Sequence, residues 1–170
     1  MTINKKNETM NKVTPKTKVE LREIIEKELE RQGCDADLNF IDTSQITDMS
    51  YLFKDMLIGH IKIDKWDVSN VTNMKEMFCR AYYFNCDLSR WDVSKVANMY
   101  SMFAYAYNFT SDLSGWNVSN VTDMVSMFAF AEKFFSDLSM WDVSKVKKMH
   151  GMFMYAEMME YKKCFYPQVK

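Results

Sequence analysis

The fold of this chain is decided by residues 112–128, which read Asp-Leu-Ser-Gly-Trp-Asn-Val-Ser-Asn-Val-Thr-Asp-Met-Val-Ser-Met-Phe. The same pattern recurs every 25 residues. All the tryptophans of the chain obey this spacing: Trp66, Trp91, Trp116 and Trp141. A period of about 20 to 50 residues is the signature of a repeat protein, in which stacked neighbours bury the apolar face that one unit leaves bare.

The register extends back to Ile41, where Ile-Asp-Thr-Ser-Gln-Ile-Thr-Asp-Met aligns with the copies that follow. The sequence therefore predicts five copies, at 36–60, 61–85, 86–110, 111–135 and 136–160. We expect the tryptophans to form the core of the stack together with a phenylalanine column: Phe78, Phe103, Phe128 and Phe153.

Each copy predicts a strand followed by a short helix. Three apolar residues of the third copy are separated by polar ones, which is typical of a strand: Leu88, Trp91 and Val93. Four more follow at helical spacing: Val96, Met99, Phe103 and Ala106. The serine before this stripe, Ser94 in the third copy, is placed to cap the helix. The predicted fold is an α/β solenoid, a leucine-rich-repeat-like stack of five 25-residue strand–helix repeats with a helical N-terminal cap.

The flanks differ from the repeats. Residues 1–14 are polar and predict a disordered tail. Residues 15–35 predict a capping helix, because Thr17 and Glu20 form a capping-box pattern and Gly33 is a suitable stop. Residues 161–170 break the repeat, and two alternatives stay open for them: a C-terminal cap or a partner-binding tail.

Composition argues against most kinds of chemistry. The net charge of -1 gives no reason to expect a nucleic-acid partner, and no apolar run is long enough to cross a bilayer. The four cysteines lack metal-ligand spacing, and His60 and His150 occupy non-equivalent positions. We therefore expect no enzyme, no cofactor and no metal. The Asp42 column offers stacked carboxylates for calcium, but Asn117 in that column favours hydrogen bonding between copies.

Two variable columns are the candidate partner-binding positions. Lys65 and Arg90 precede tryptophans and are expected to point outward from the sheet. The second column lies on the expected helical side and is rich in aromatic residues: Arg80, Tyr105, Phe130 and Tyr155. A row of exposed aromatics favours recognition of a partner. The alternative is that these rings pack on neighbouring turns as additional core.

Residues 112–128 resemble the BspA-like leucine-rich-repeat surface proteins of bacteria, and the resemblance covers about residues 36–160. It implies a leucine-rich-repeat-like solenoid displayed on a cell surface and engaged in adhesion or protein contact. The first residues show neither a secretory signal nor a lipoprotein cysteine, which indicates a cytoplasmic protein instead. The compartment stays open between these two.

The sequence thus predicts a non-catalytic repeat module that binds a protein, in the manner of an adhesion module. The alternative is a structural protein whose repeat ends associate with one another. An enzyme is much less expected, because no nucleophile, base and orienting group occur together in the pattern.

Overall fold

The described part of the chain consists of two helices joined by a long series of stacked turns. This computed structural model describes residues 12–160 and 166–167. Helix α1 spans Lys18–Gln32 and helix α2 spans Glu157–Glu160. Within the described part of the chain, neither helix is long and apolar enough to span a bilayer.

Helix α1 begins and ends where the sequence predicts. The Thr17 side chain accepts the N–H of Glu20 at 3.2 Å, and the N–H of Gly33 donates to the Leu29 carbonyl at 2.8 Å, with Gly33 at φ 84°. Leu21 and Ile25 on one face of α1 are fully buried in the core. The helix therefore packs its apolar stripe on the first copy of the repeat.

The prediction of an α/β solenoid of strand–helix repeats is wrong. Residues 36–156 are all described, and they contain neither a strand nor a helix, only turns and isolated parallel bridges. The bridges join equivalent positions of neighbouring copies: Asp37 with Lys62, Asp48 with Asn73, Asn73 with Asn98, Asn98 with Asp123, and Asp123 with Lys148.

The segment predicted as a strand is folded into two tight turns. The Trp91 N–H donates to the Leu88 carbonyl at 3.0 Å, and the Val96 N–H donates to the Val93 carbonyl at 2.9 Å. A strand requires apolar residues at a spacing of two, whereas Leu88 and Trp91 are three apart. The spacing of three instead fits a turn that brings both side chains to the same core.

The segment predicted as a helix uses its amides in two alternating ways. The Phe103 N–H donates to Met127 in the next copy at 2.9 Å, whereas the Ala104 N–H donates back to Ser101 at 3.2 Å. In an α-helix, every amide N–H donates a hydrogen bond to the carbonyl four residues earlier. Ser101 and Tyr105 also have φ of 49° and 62°, a left-handed conformation that interrupts a right-handed helix. The apolar spacing in this segment therefore arises from consecutive turns, not from a helix.

We call the stacked segments 49–56, 74–81, 99–106, 124–131 and 149–156 the turn ladder. Adjacent segments are joined by hydrogen bonds from an amide to the carbonyl 24 residues later. Four bonds of 2.8 to 2.9 Å join the third copy to the fourth: Met99 to Asp123, Ser101 to Val125, Phe103 to Met127 and Tyr105 to Ala129. The backbone thus pairs between copies as in a sheet, although no strand is formed.

Aromatic columns fill the core of the stack. Phe103 lies 5.5 Å from Phe78 and 5.6 Å from Phe128 between ring centroids, with nearly parallel rings. The tryptophans are 4% exposed, and each indole N–H donates to a carbonyl of the preceding copy. A second column packs on the first at about 4 Å and was not recognised from the sequence: Phe84, Phe109 and Phe134.

Candidate functional site

The residues Arg80, Tyr105, Phe130 and Tyr155 form one continuous line on the surface, which we call the aromatic row. Tyr105 and Phe130 stack with ring centroids 4.4 Å apart, and Phe130 lies 4.7 Å from Tyr155. The guanidinium of Arg80 sits 5.9 Å from the Tyr105 ring centroid and 3.6 Å from the Asp55 carboxylate. The row therefore has a charged end in the first two copies and an apolar end in the fifth.

The backbone of the turn ladder positions this row. Arg80, Tyr105, Phe130 and Tyr155 all have φ between 57° and 62°, as does Asp55 with φ of 60°. The left-handed conformation at the corner of each turn directs equivalent side chains out of the stack in register. Side chains at such corners are held by a backbone that is itself hydrogen-bonded between copies.

The two ends of the row are more exposed than its middle. Tyr105 and Phe130 are half-buried and pack on a small buried cluster of Cys79, Ala104 and Ala129. Tyr155 is 59% exposed. Burial raises the pKa of the Cys79 thiol to about 11, so the thiol stays neutral and serves as packing below the row.

Neighbouring tyrosines widen the aromatic surface. Tyr82 and Tyr107 stack at 5.4 Å, and Tyr107 meets Tyr105 edge to face at 6.3 Å. Tyr83 beside them is 60% exposed. The structure thus joins Tyr107 to the row directly and Tyr82 to it through Tyr107.

Lys65 and Arg90 lie elsewhere. No sheet exists for them to point away from; both are exposed residues of the tight turns that precede the tryptophans. The structure stacks the loop of Lys65 on the preceding copy, where the Lys65 N–H donates to Asn39 at 3.0 Å. No contact joins them to the aromatic row in the described part of the chain. The two predicted binding columns are therefore separate surfaces.

The sequence did not predict one contact, in which a lysine ammonium lies against two tyrosine rings. The Lys75 ammonium lies 5.5 Å from the Tyr51 ring centroid and 5.1 Å from the Tyr100 ring centroid. The interaction with Tyr51 raises the pKa of Lys75. A step of 25 residues relates Lys75 to Tyr100, so the repeat places these two on one face, whereas Tyr51 belongs to the adjacent column.

The carboxylates have a structural role. Asp92 accepts the N–H of Ser94 at 3.0 Å, so the predicted capping of a helix by Ser94 is wrong: the aspartate caps the turn that contains the serine. Asn117 accepts the N–H of Ser119 in the same way, within its own copy. Among the described residues, no three or more His, Cys, Asp or Glu side chains are grouped so that they could hold a metal ion.

A protein family described as Mycoplasma protein of unknown function, DUF285, matches residues 21–116 and residues 90–164 of this chain. The two matches overlap and together extend from helix α1 to the end of the stack. No curated protein and no solved structure matches the chain.

Proposed function

This chain belongs to the DUF285 family, and we propose that it is a non-catalytic module that binds another protein through the aromatic row. The observation that carries the proposal is the unbroken line of stacked, partly exposed side chains from Arg80 to Tyr155. Tyrosine, phenylalanine and arginine are the residues enriched where proteins meet.

The rigidity of the row supports the same function. Each ring rests on a neighbour, and the amides of Arg80, Tyr105 and Phe130 donate to the following copy within the turn ladder. Binding then costs little side-chain freedom, because the rings are already ordered before a partner arrives. The charged end at Arg80 and Asp55 adds orientation to a surface that is otherwise apolar.

The resemblance of residues 112–128 to BspA-like surface proteins supports an adhesion-type contact as the finer form of this proposal. Fold and repeat pattern alone do not establish an activity, so the partner is to be found by experiment.

The test is partner capture with matched variants. The immobilised full chain is exposed to candidate protein mixtures, and bound proteins are identified by mass spectrometry. The row variant is Tyr105→Asp with Phe130→Asp, since Asp55 shows that the column accepts aspartate. The control is Arg90→Gly, since Gly115 occupies that column.

A partner that is lost with the row variant and retained with Arg90→Gly supports the proposal. A partner lost only with Arg90→Gly would move the binding surface to the tight turns. Absence of any saturable partner would count against a binding module.

Self-association is the second candidate, and the fifth copy favours it. Four large apolar side chains of this copy are exposed: Met140 at 87%, Met154 at 45%, Tyr155 at 59% and Met158 at 49%. Exposed apolar groups at the end of a stack favour contact with another copy. Light scattering after size exclusion over a hundredfold concentration range distinguishes this function, since a growing mass would place it first.

A further inference from the structure

The turn ladder ends in a row of amides that have no acceptor in the part of the chain that the structure describes. In each of the first four copies, four alternate amides donate to the following copy. The equivalent amides of the fifth copy have no hydrogen-bond partner among residues 12–160 and 166–167: Met149, Gly151, Phe153 and Tyr155. We call these four amides the tail edge. A row of donors without acceptors favours addition of a segment that presents backbone carbonyls.

The tail edge is also electropositive. Position 48 and its equivalents are Asp48, Asn73, Asn98 and Asp123, and each of them accepts the N–H two residues later. Lys148 takes this place in the fifth copy and has no acceptor to offer. Lys147 and His150 beside it are exposed as well. At position 148 the tail edge therefore carries a cation where the earlier copies carry aspartate or asparagine.

The other end of the tail edge exposes apolar side chains on either side of the exposed Glu157. Tyr155 and Met158 are 59% and 49% exposed, and Tyr155 completes the aromatic row. Tyr166 stacks on Phe153 at 4.3 Å and covers the core in the middle of the edge. A segment bound along the tail edge would therefore contact the lysines at one end and the aromatic side chains at the other.

The carbonyl edge at the opposite end of the stack is covered by a helix. Helix α1 lies over the first copy, where the Arg22 guanidinium donates to the Leu52 carbonyl at 2.8 Å and Lys18 pairs with Asp48 at 2.6 Å. A second copy of the folded chain would have to displace α1 before its first copy could pair with the tail edge. The occupant that fits is therefore a segment of a different protein.

We propose that the tail edge binds an acidic peptide segment of a partner protein, whose carbonyls accept the free amides and whose carboxylates meet Lys147 and Lys148. The proposal rests on the proposed binding function and names the chemistry of the partner. The pairing repeats the backbone hydrogen bonds of the four existing interfaces between copies, and the bound segment displaces the Tyr166 ring that lies on Phe153. A carboxylate of the partner near these two lysines would orient the bound segment and increase its association rate.

The test is a titration of the nitrogen-15-labelled full chain with a synthetic probe. Changes in the backbone amide chemical shifts, measured by NMR, report binding. The probe is an acetylated and amidated peptide with the sequence of residues 46–56, Ile-Thr-Asp-Met-Ser-Tyr-Leu-Phe-Lys-Asp-Met, which carries the acidic side chain and the carbonyl register of a ladder segment. We expect saturable shifts at Met149, Gly151, Phe153 and Tyr155, and none with a peptide of scrambled sequence.

Two matched variants test the role of charge. Lys148→Asn restores the residue type of Asn98 and removes the cation, and we expect it to weaken probe binding by about fivefold, the usual scale of an exposed charge pair. Lys95→Asn removes a cation from a column that also holds Asn70 and Asn120, and it should leave binding unchanged.

Three results would overturn the proposal: shifts that cluster on α1, equal effects of the two lysine variants, or growth of the free chain into larger species as its concentration rises. The Tyr105→Asp and Phe130→Asp variant should retain the probe. Loss of the captured partner with that variant, while the probe still binds, would separate the two binding surfaces.

Discussion

The two ends of the stack close their cores differently. At the first copy, α1 buries Leu21 and Ile25, and Arg22 donates to the outward carbonyls of Tyr51 and Leu52 at 3.1 and 2.8 Å. At the fifth copy, Tyr166 stacks on Phe153, but the alternate amides of the ladder have no acceptor in the described part of the chain. Covering apolar surface and satisfying a backbone edge are therefore separate tasks, and at the first end Arg22 satisfies the Leu52 carbonyl of that edge as well.

The largest expected effect comes from opening the first end. Ile25→Ala removes a fully buried side chain between α1 and the stack. We expect it to lower the free energy of unfolding by about 2 to 5 kcal/mol, since the cavity cannot be refilled by a surface helix. Urea denaturation measures the change.

Val19→Ala on the same helix is the control, because Val19 is 65% exposed. Its effect should stay within about 0.5 kcal/mol. Equal losses for the two variants would mean that α1 does not close the stack.

Arg22→Ala tests the hydrogen-bonded edge without removing buried apolar surface. We expect a loss of about 1 to 3 kcal/mol, the scale of hydrogen bonds to a charged donor. The outward carbonyls would then resemble the open amides of the fifth copy, so we also expect the variant to associate end to end at high concentration. Denaturation and light scattering measure the two effects, with exposed Lys27→Ala as the control.

The sequence predicted the repeat and the core but not the backbone that carries them. The 25-residue step identified Trp91 and Phe103 as buried, since the spacing of apolar residues reports which side chains share a face. Turns and helices both place residues three or four apart together, so Met99 and Phe103 fit either conformation. Only the pairing of alternate amides with the next copy distinguishes them, and that pairing is a tertiary property.

The candidate site was predicted in the same partial way. The column of Arg80, Tyr105, Phe130 and Tyr155 was recognised as one surface, because residues one repeat apart are neighbours in a stack. The left-handed φ of these residues was not predictable, since arginine, tyrosine and phenylalanine rarely adopt it. The open tail edge also lay beyond the pattern, because it depends on which backbone groups find partners.

A smaller effect tests the left-handed corner at the fifth copy. Tyr155 has φ of 57°, so Tyr155→Gly should be more stable than Tyr155→Ala by about 1 kcal/mol, although glycine usually destabilises. Thermal denaturation of the pair measures the difference. Met154 provides the control, because it does not have a positive φ and Met154→Gly should be less stable than Met154→Ala by roughly 0.5 to 1 kcal/mol. The same sign at both positions would contradict the turn geometry.

The smallest expected effect concerns how the free energy of unfolding depends on pH at the first end of the stack. Lys12 pairs with Asp42 at 2.9 Å, and its hydrogen bond, with that of Ser44, lowers the pKa of Asp42 to about 2. A carboxylate with a depressed pKa stabilises the fold above its unfolded value of about 4, and the contribution is lost as the pH falls toward about 2. Asp42→Asn keeps the acceptor, as Asn117 does in this column, and should weaken the dependence of stability on pH in that window. Urea denaturation between about pH 2 and pH 5 measures the slope. Asp67→Asn in the second copy is the matched comparison, and an identical slope change for both variants would show that the Lys12 pair is not the cause.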